Sequence, residues 1–258
     1  MQQPASLPNP LGVPAAEWQV RVDLAAAHRL AFMHGLNEGI FNHLTALVPG
    51  KPGRYYQIPF GWHWSEVNAS SFMELDFQGK VLRGDGEPER SSICIHAPMH
   101  RLAPQAACVF HTHMPFASAL TRLEDQTLKP IGQTEAFLIK SIAYDDHYAG
   151  PAFDLTEGER LANVLGDKNV LFMANHGVVT VARTVSQAYE LLYYVERAAQ
   201  VQIYAMWTGR PLRTLPPAVI DVTANQAGAP RYYGQPNDVH HFAALKRMLD
   251  RREPDYKE

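Results

Sequence analysis

His111 and His113 stand one residue apart in the stretch VFHTHMPFASAL, residues 109–120. In a strand, residues i and i+2 face the same side. The two imidazoles therefore project together and can reach one metal ion. The apolar run AACVF reads as a buried strand that holds the pair rigid, and Pro115 ends that strand at once. The pair is left at a sheet edge or cleft mouth. A catalytic zinc usually takes three protein ligands and keeps one position open. His176 is the best third candidate. It lies in a polar interruption, Asn175-His176-Gly177, between two apolar strands, and Gly177 lets backbone approach closely. Spacing alone leaves a second reading open, in which His111 and His113 are core histidines satisfied by hydrogen bonds.

The elements that must position these residues are read from periodicity and capping. Residues 1–13 hold three prolines and no periodicity, which predicts an extended N-terminal arm, with 14–258 a single domain. Pro14 suits the first turn of a helix. Val20, Leu24, Ala27 and Ala31 continue it, and Gly35 stops it. IFNHLTALVPG, YYQIPFG and MELDFQGKVL read as strands, the last folded at Gln78-Gly79. Ser91 and Ser92 are the expected caps of a short helix toward Leu102, made irregular by Pro98. Pro115 opens another helix. Thr156 and Glu159 form an expected capping box for a helix ending at Gly166, and Thr184 and Gln187 cap a long one toward Trp207. SIAYDDHYAGP reads as turn-like. Residues 210–258 read as a Pro-rich surface wrap and a last helix, whose apolar stripe is Phe242, Leu245 and Leu249. Strands and helices are mixed throughout, so an α/β fold is expected, a mixed sheet covered by helices on both faces.

Composition narrows the function classes. The chain has 258 residues, ordinary for one large domain, and 46% are hydrophobic. A net charge of −3 and the lack of any basic run give no reason to expect a nucleic-acid partner. No window approaches 18 apolar residues, so no membrane partner is expected. The N-terminus does not read as a signal peptide. Cys94 and Cys108 fit no metal or redox spacing and read as buried free thiols. A cytoplasmic location follows as the expectation.

The ordered motifs resemble the class II aldolase/adducin family. VFHTHMPFASAL matches that family's His-x-His motif. NVLFMANHGVVTVARTVSQAYELLYYVERAAQVQ matches its Asn-His-Gly motif and following helix. LNEGIFNHLTALVPG and QIPFGWHWSEVNASSFMELDFQGKVL are also similar, the latter closest to the adducin-head branch. The resemblance covers roughly residues 18–210. It implies a three-layer α/β/α architecture around a mixed, mostly antiparallel sheet. It implies a divalent metal on His111, His113 and His176, zinc by preference, with manganese or cobalt also compatible with imidazole ligands. It further implies a homotetramer acting on a small molecule. A metal that chelates a substrate's hydroxyl and carbonyl oxygens stabilises an enediolate, the intermediate of aldol cleavage, of aldol-type epimerisation and of related decarboxylations.

The chain departs from the family pattern at the acid/base carboxylate. In EPERSSICIHAPMH the acidic position falls at Ser92 or Ile93, and neither exchanges a proton near neutral pH. Adducin heads share this loss. Glu87 and Glu89 read as members of an earlier loop. Candidate proton carriers are therefore Tyr148 and His147, since tyrosine is a proton donor in this family and histidine titrates in a useful range. Asn42, Thr45, Ser91 and Ser92 are the candidate substrate-binding residues, although His43 interrupts the first pair. Phe60-Gly61-Trp62 stands where a small polar pair would hold phosphate, and suits an apolar or aromatic substrate, unless Phe60, Trp62 and Trp64 are core or interface aromatics. The expected function is a metal-dependent lyase on a small hydroxy-carbonyl or carboxylate compound. The alternative is a non-catalytic interaction protein like an adducin head, against which stands the lack of a long polar or lysine-rich segment.

Overall fold

The computed structural model describes residues 9–227, 229 and 234–258. In chain order, α1 (Ala15–Met33) leads into β1 (His43–Leu47), β2 (Arg54–Gln57), β3 (Met73–Asp76) and β4 (Val81–Arg83). Then come α2 (Arg90–Leu102), β5 (Cys108–Thr112), α3 (Pro115–Leu120), α4 (Gln133–Leu138), β6 (Ile142–Asp145) and α5 (Leu155–Leu165). The hairpin β7 (Val170–Met173) and β8 (Val178–Ala182) precedes α6 (Val185–Trp207), α7 (Pro217–Ala224) and α8 (Asn237–Arg252).

The eight strands form one sheet in the order β4-β3-β2-β1-β5-β8-β7-β6. Every neighbouring pair is antiparallel except β6 and β7. The sheet is thus mixed and mostly antiparallel. Its two faces are separated by the period-two alternation of its strands. Cys108 and Phe110 of β5 and Leu44 and Ala46 of β1 join the core formed with Leu24 and Leu30 of α1 and Leu192 and Val195 of α6. Val109, Val179 and Val181 face the other way, onto Cys94 and Met99 of α2 and Leu161 and Leu165 of α5. Helices therefore cover both faces, giving three layers.

The α2 layer sits close to α5 for a local reason. Pro98 lies inside α2 and has no N–H, so the Cys94 carbonyl four residues earlier lacks its helical donor. Gly158 of α5 meets that carbonyl: a Cβ there would fall 1.9 Å from Cys94 O. The helix is continuous through Pro98.

Several sequence expectations need correction. Glu89, not Ser91 or Ser92, caps α2: its carboxylate accepts from both serine N–H groups. Asp154 caps α5 in place of the Thr156–Glu159 box. The turn-like segment begins as strand β6, paired in parallel to β7. The Pro-rich wrap contains α7, with proline at its first position. Of the expected arm, residues 1–8 lie outside the described residues, while Val13 is buried in the main core and Leu11 packs against it. No helix among the described residues is long and apolar enough to cross a membrane.

Candidate metal centre

His111 lies near the end of β5 and His113 just beyond it, both on the α2 face of the sheet. His111 Nδ1 is 3.1 Å from the Val178 carbonyl oxygen. His113 Nδ1 is 2.5 Å from the Glu38 carboxylate. Both partners accept, so in each ring the δ nitrogen carries the hydrogen and the ε nitrogen keeps its lone pair. The two ε nitrogens then face each other at 3.2 Å. Two lone pairs so placed repel unless a cation lies against both. Nitrogens bound tetrahedrally to one zinc, at about 2.0–2.1 Å from it, stand about 3.3 Å apart. The donor set therefore fits a divalent ion of this kind.

His176 completes the cluster. Its ring centroid is 4.8 Å from that of His111 and 5.0 Å from that of His113. The ligand atoms of all three lie within 4.8 Å of one another. The tight β7–β8 turn delivers it, with Asn175 at φ 56°. Gly177 must be glycine for the turn to seat: a Cβ would fall 2.6 Å from Thr112 O and 2.7 Å from His113 Cδ2. Burial pushes His176 down to about 4 and holds His111 well below the ordinary histidine range. Both keep free lone pairs at neutral pH, as metal ligands must.

Glu38 orients His113, and Asn42 holds both in place. The Asn42 side-chain oxygen accepts from the Glu38 N–H at 3.0 Å and from the His113 N–H at 3.1 Å. Asn42 sits at φ 77°, a conformation asparagine tolerates better than most residues.

A second polar pair stands beside the three histidines. His43 of β1 is in direct register with His111 of β5, and their ring centroids are 5.3 Å apart. His43 Nε2 lies 2.8 Å from Glu89 Oε2. Burial by itself raises the Glu89 pKa. The hydrogen bond and charge of His43, the Ser91 hydroxyl and the Ser92 N–H outweigh it and hold the carboxyl down to about 2. His43, Glu89, Asn42 and Gln57 line a cleft together with the apolar Ile40 and Phe60. Sequence reading missed His43 and Glu89 as site residues. The signal for His43 was present: it alternates with Leu44 and Ala46 and so shares a face with Thr45.

The remaining candidates are distributed unevenly. The Tyr148 ring is 6.0 Å from His176, and Tyr148 and His147 line a second pocket that also includes His176. Asn42 is in the cleft wall. Ser91 is spent on Glu89 and His43. Thr45 and Ser92 do not reach the cleft. Thr45 is fully buried with its hydroxyl between His96 and His100, and Ser92 is buried against Gln57. Phe60 and Trp62 are exposed while Trp64 is fully buried.

Residues 22–203 match the family model described as the Class II Aldolase and Adducin N-terminal domain. The chain belongs to this family. Among its members is a Pseudomonas aeruginosa protein provisionally named an aldolase class 2 protein, 34% identical over 248 residues, 95% of each chain. Rat alpha-adducin is 31% identical over 244 residues, which are 90% of this chain and 33% of that protein. The crystal structure of an aldolase II superfamily protein from Pseudomonas syringae matches with a TM-score of 0.87 at 34% identity, covering 96% of this chain and 98% of that one.

Proposed function

We propose that the protein is a metal-dependent carbon–carbon lyase acting on a small hydroxy-carbonyl or carboxylate compound whose far end is apolar and carries no phosphate. The observation that carries this reading is the convergence of the His111 and His113 lone pairs, 3.2 Å apart and joined by His176. A divalent ion held there, zinc by preference and manganese or cobalt in its place, supplies Lewis-acid stabilisation of the negative charge that develops as a carbon–carbon bond breaks. The chain's own residues do the rest. Val178 O and Glu38 fix the ring tautomers of the ligands. Asn42 and Gln57 offer polar contacts to substrate in the cleft, and Ile40 and Phe60 give it an apolar wall. No lysine or arginine is among that cleft's lining residues. Tyr148 and His147 stand near His176, where they can relay a proton between the site and solvent.

The departure at Ser92 and Ile93 favours a second reading, a non-catalytic interaction protein like an adducin head. The carboxylate of Glu89 in the cleft supports the lyase instead. A homotetramer belongs to the same proposal, supported by the apolar residues Val201, Tyr204, Met206 and Trp207 exposed at the end of α6. Buried free Cys94 and Cys108 are consistent with a cytoplasmic location.

The test is a panel of phosphate-free hydroxy-ketones and hydroxy-acids given to the zinc-loaded protein. Release of a carbonyl product or of carbon dioxide is expected, and His111→Ala should abolish it. Efficient cleavage of fuculose or rhamnulose phosphate contradicts the substrate class. A fully loaded protein inert toward the whole panel favours the interaction reading.

A further inference from the structure

A line of hydrogen-bonded groups runs between α2 and the sheet, and it has a direction. His100 Nδ1 lies 2.7 Å from the Ala106 carbonyl oxygen, so this nitrogen carries a hydrogen. Burial pushes His100 down to about 4, so the ring is neutral and Nε2 keeps its lone pair. The Thr45 hydroxyl, 2.9 Å away, donates to it in preference to the Val109 carbonyl at 3.3 Å. With its hydrogen used, Thr45 Oγ1 accepts from His96 Nδ1 at 2.7 Å. His96 is fully buried and also neutral, which leaves its Nε2 as an acceptor. His43 Nδ1, 3.3 Å away, is the donor to it. The direction thus passes from the Ala106 carbonyl to His43 and fixes a hydrogen on the inner nitrogen of that ring.

The outer nitrogen of His43 then decides the charge. Nε2 faces Glu89 Oε2 at 2.8 Å. Bare lone pairs do not meet at that distance, so one more proton lies between them. The Glu89 carboxyl accepts from the Ser91 N–H, the Ser91 hydroxyl and the Ser92 N–H, a donor set that suits its ionised form, and so the proton sits on the His43 side. The same oxygen that faces His43 accepts from Ser91 Oγ at 2.7 Å and from the Ser92 N–H at 2.7 Å, and Oε1 accepts from the Ser91 N–H at 3.1 Å. The carboxylate also sits at the N-terminus of a 13-residue helix, whose dipole favours a negative charge.

We propose that His43 and Glu89 hold this shared proton for the reaction, as the acid/base group that the chain lacks at Ser92 and Ile93. The catalytic half of this proposal rests on the lyase reading; the shared proton does not. In an aldol cleavage the substrate's hydroxyl proton passes to the carboxylate as the carbon–carbon bond breaks and the carbonyl forms. The electron pair of that bond goes to the departing carbon. The pair then returns one proton to that carbon and ends with the one proton it began with. Both residues line the cleft, and His43 pairs in register with His111 of the three-histidine cluster.

Two measurements on the zinc-loaded full chain test this. Nitrogen-15 NMR of the histidine side chains at neutral pH, with His43 assigned through His43→Gln, should show both His43 nitrogens protonated in the wild type. Glu89→Gln should convert it to the neutral ring with hydrogen on Nδ1 alone. A neutral His43 in the wild type overturns the shared proton. Hydroxyacetone in heavy water then probes proton transfer without a full substrate. The wild type should exchange its carbon-bound protons. Glu89→Gln should lose about a hundredfold or more of that rate while keeping one zinc per chain, and Glu89→Asp should recover part of it. Wild-type exchange in Glu89→Gln overturns the catalytic role. No exchange by the loaded wild type overturns that role together with the lyase reading, while the spectrum still decides the proton.

Discussion

Glu38 is the residue that aims His113. Carboxylates behind a metal-binding histidine fix its tautomer and raise its basicity, and their loss typically costs about 10- to 100-fold in affinity. Glu38→Gln should therefore weaken zinc binding by that amount in competition with a chromophoric chelator, and leave the fold unchanged. Unaltered affinity would show that the 2.5 Å contact with His113 Nδ1 plays no part in holding the metal. At this scale the clustering of the three histidines was legible because a strand's two-residue period aligned His111 with His113, and a polar gap between apolar strands marked His176. The partners were not. Glu38, His43 and Glu89 lie 75, 70 and 24 positions ahead of His113 in the sequence (113 minus 38, 43 and 89). Strand register, a loop clamp and a helix cap bring them to the ligands, and Glu is not among the residues favoured as an N-cap, so Glu89 looked like loop.

Gly177 shows how an element can be tuned for the site alone. Alanine there would press on Thr112 O at the end of β5 and on Cδ2 of His113 just beyond it. Overpacking of this kind costs roughly 1–3 kcal/mol. Gly177→Ala should fold, unfold at lower denaturant, and bind zinc much more weakly than the wild type. Wild-type zinc affinity in this variant would mean that the β7–β8 turn does not set the position of His176. The sheet strands and the long helices were readable because their apolar periods are strong. Helix α7 was hidden by its prolines and β6 by the polar residues that follow it. The caps Glu89 and Asp154 were misassigned because neighbouring Ser and Thr residues carry the usual cap signal, while the actual cap is chosen by where each helix packs.

On the scale of the whole molecule, buried neutral histidines tie stability to pH. Burial holds both His28 and His100 down to about 4, against an ordinary value of about 6.5 in the unfolded chain. The unfolded chain therefore binds more protons between these values, and stability rises with pH across the window. The contribution is fully present above pH ~6.5 and is lost as pH falls toward 4, at ~1.4 kcal/mol per pH unit for each histidine. Metal-free protein should show this loss in denaturant melts taken from pH 7 to 4. A flat profile over that window would contradict the neutral state of the two rings.

Metal content measures the central claim most directly. Wild-type protein and the His111→Ala/His113→Ala double variant are loaded with zinc, dialysed and analysed for metal and for protein. The account predicts about one zinc per wild-type chain, as a convergent three-histidine site holds, and almost none in the double variant. A wild type that retains no zinc, or a double variant that keeps the full amount, would contradict it.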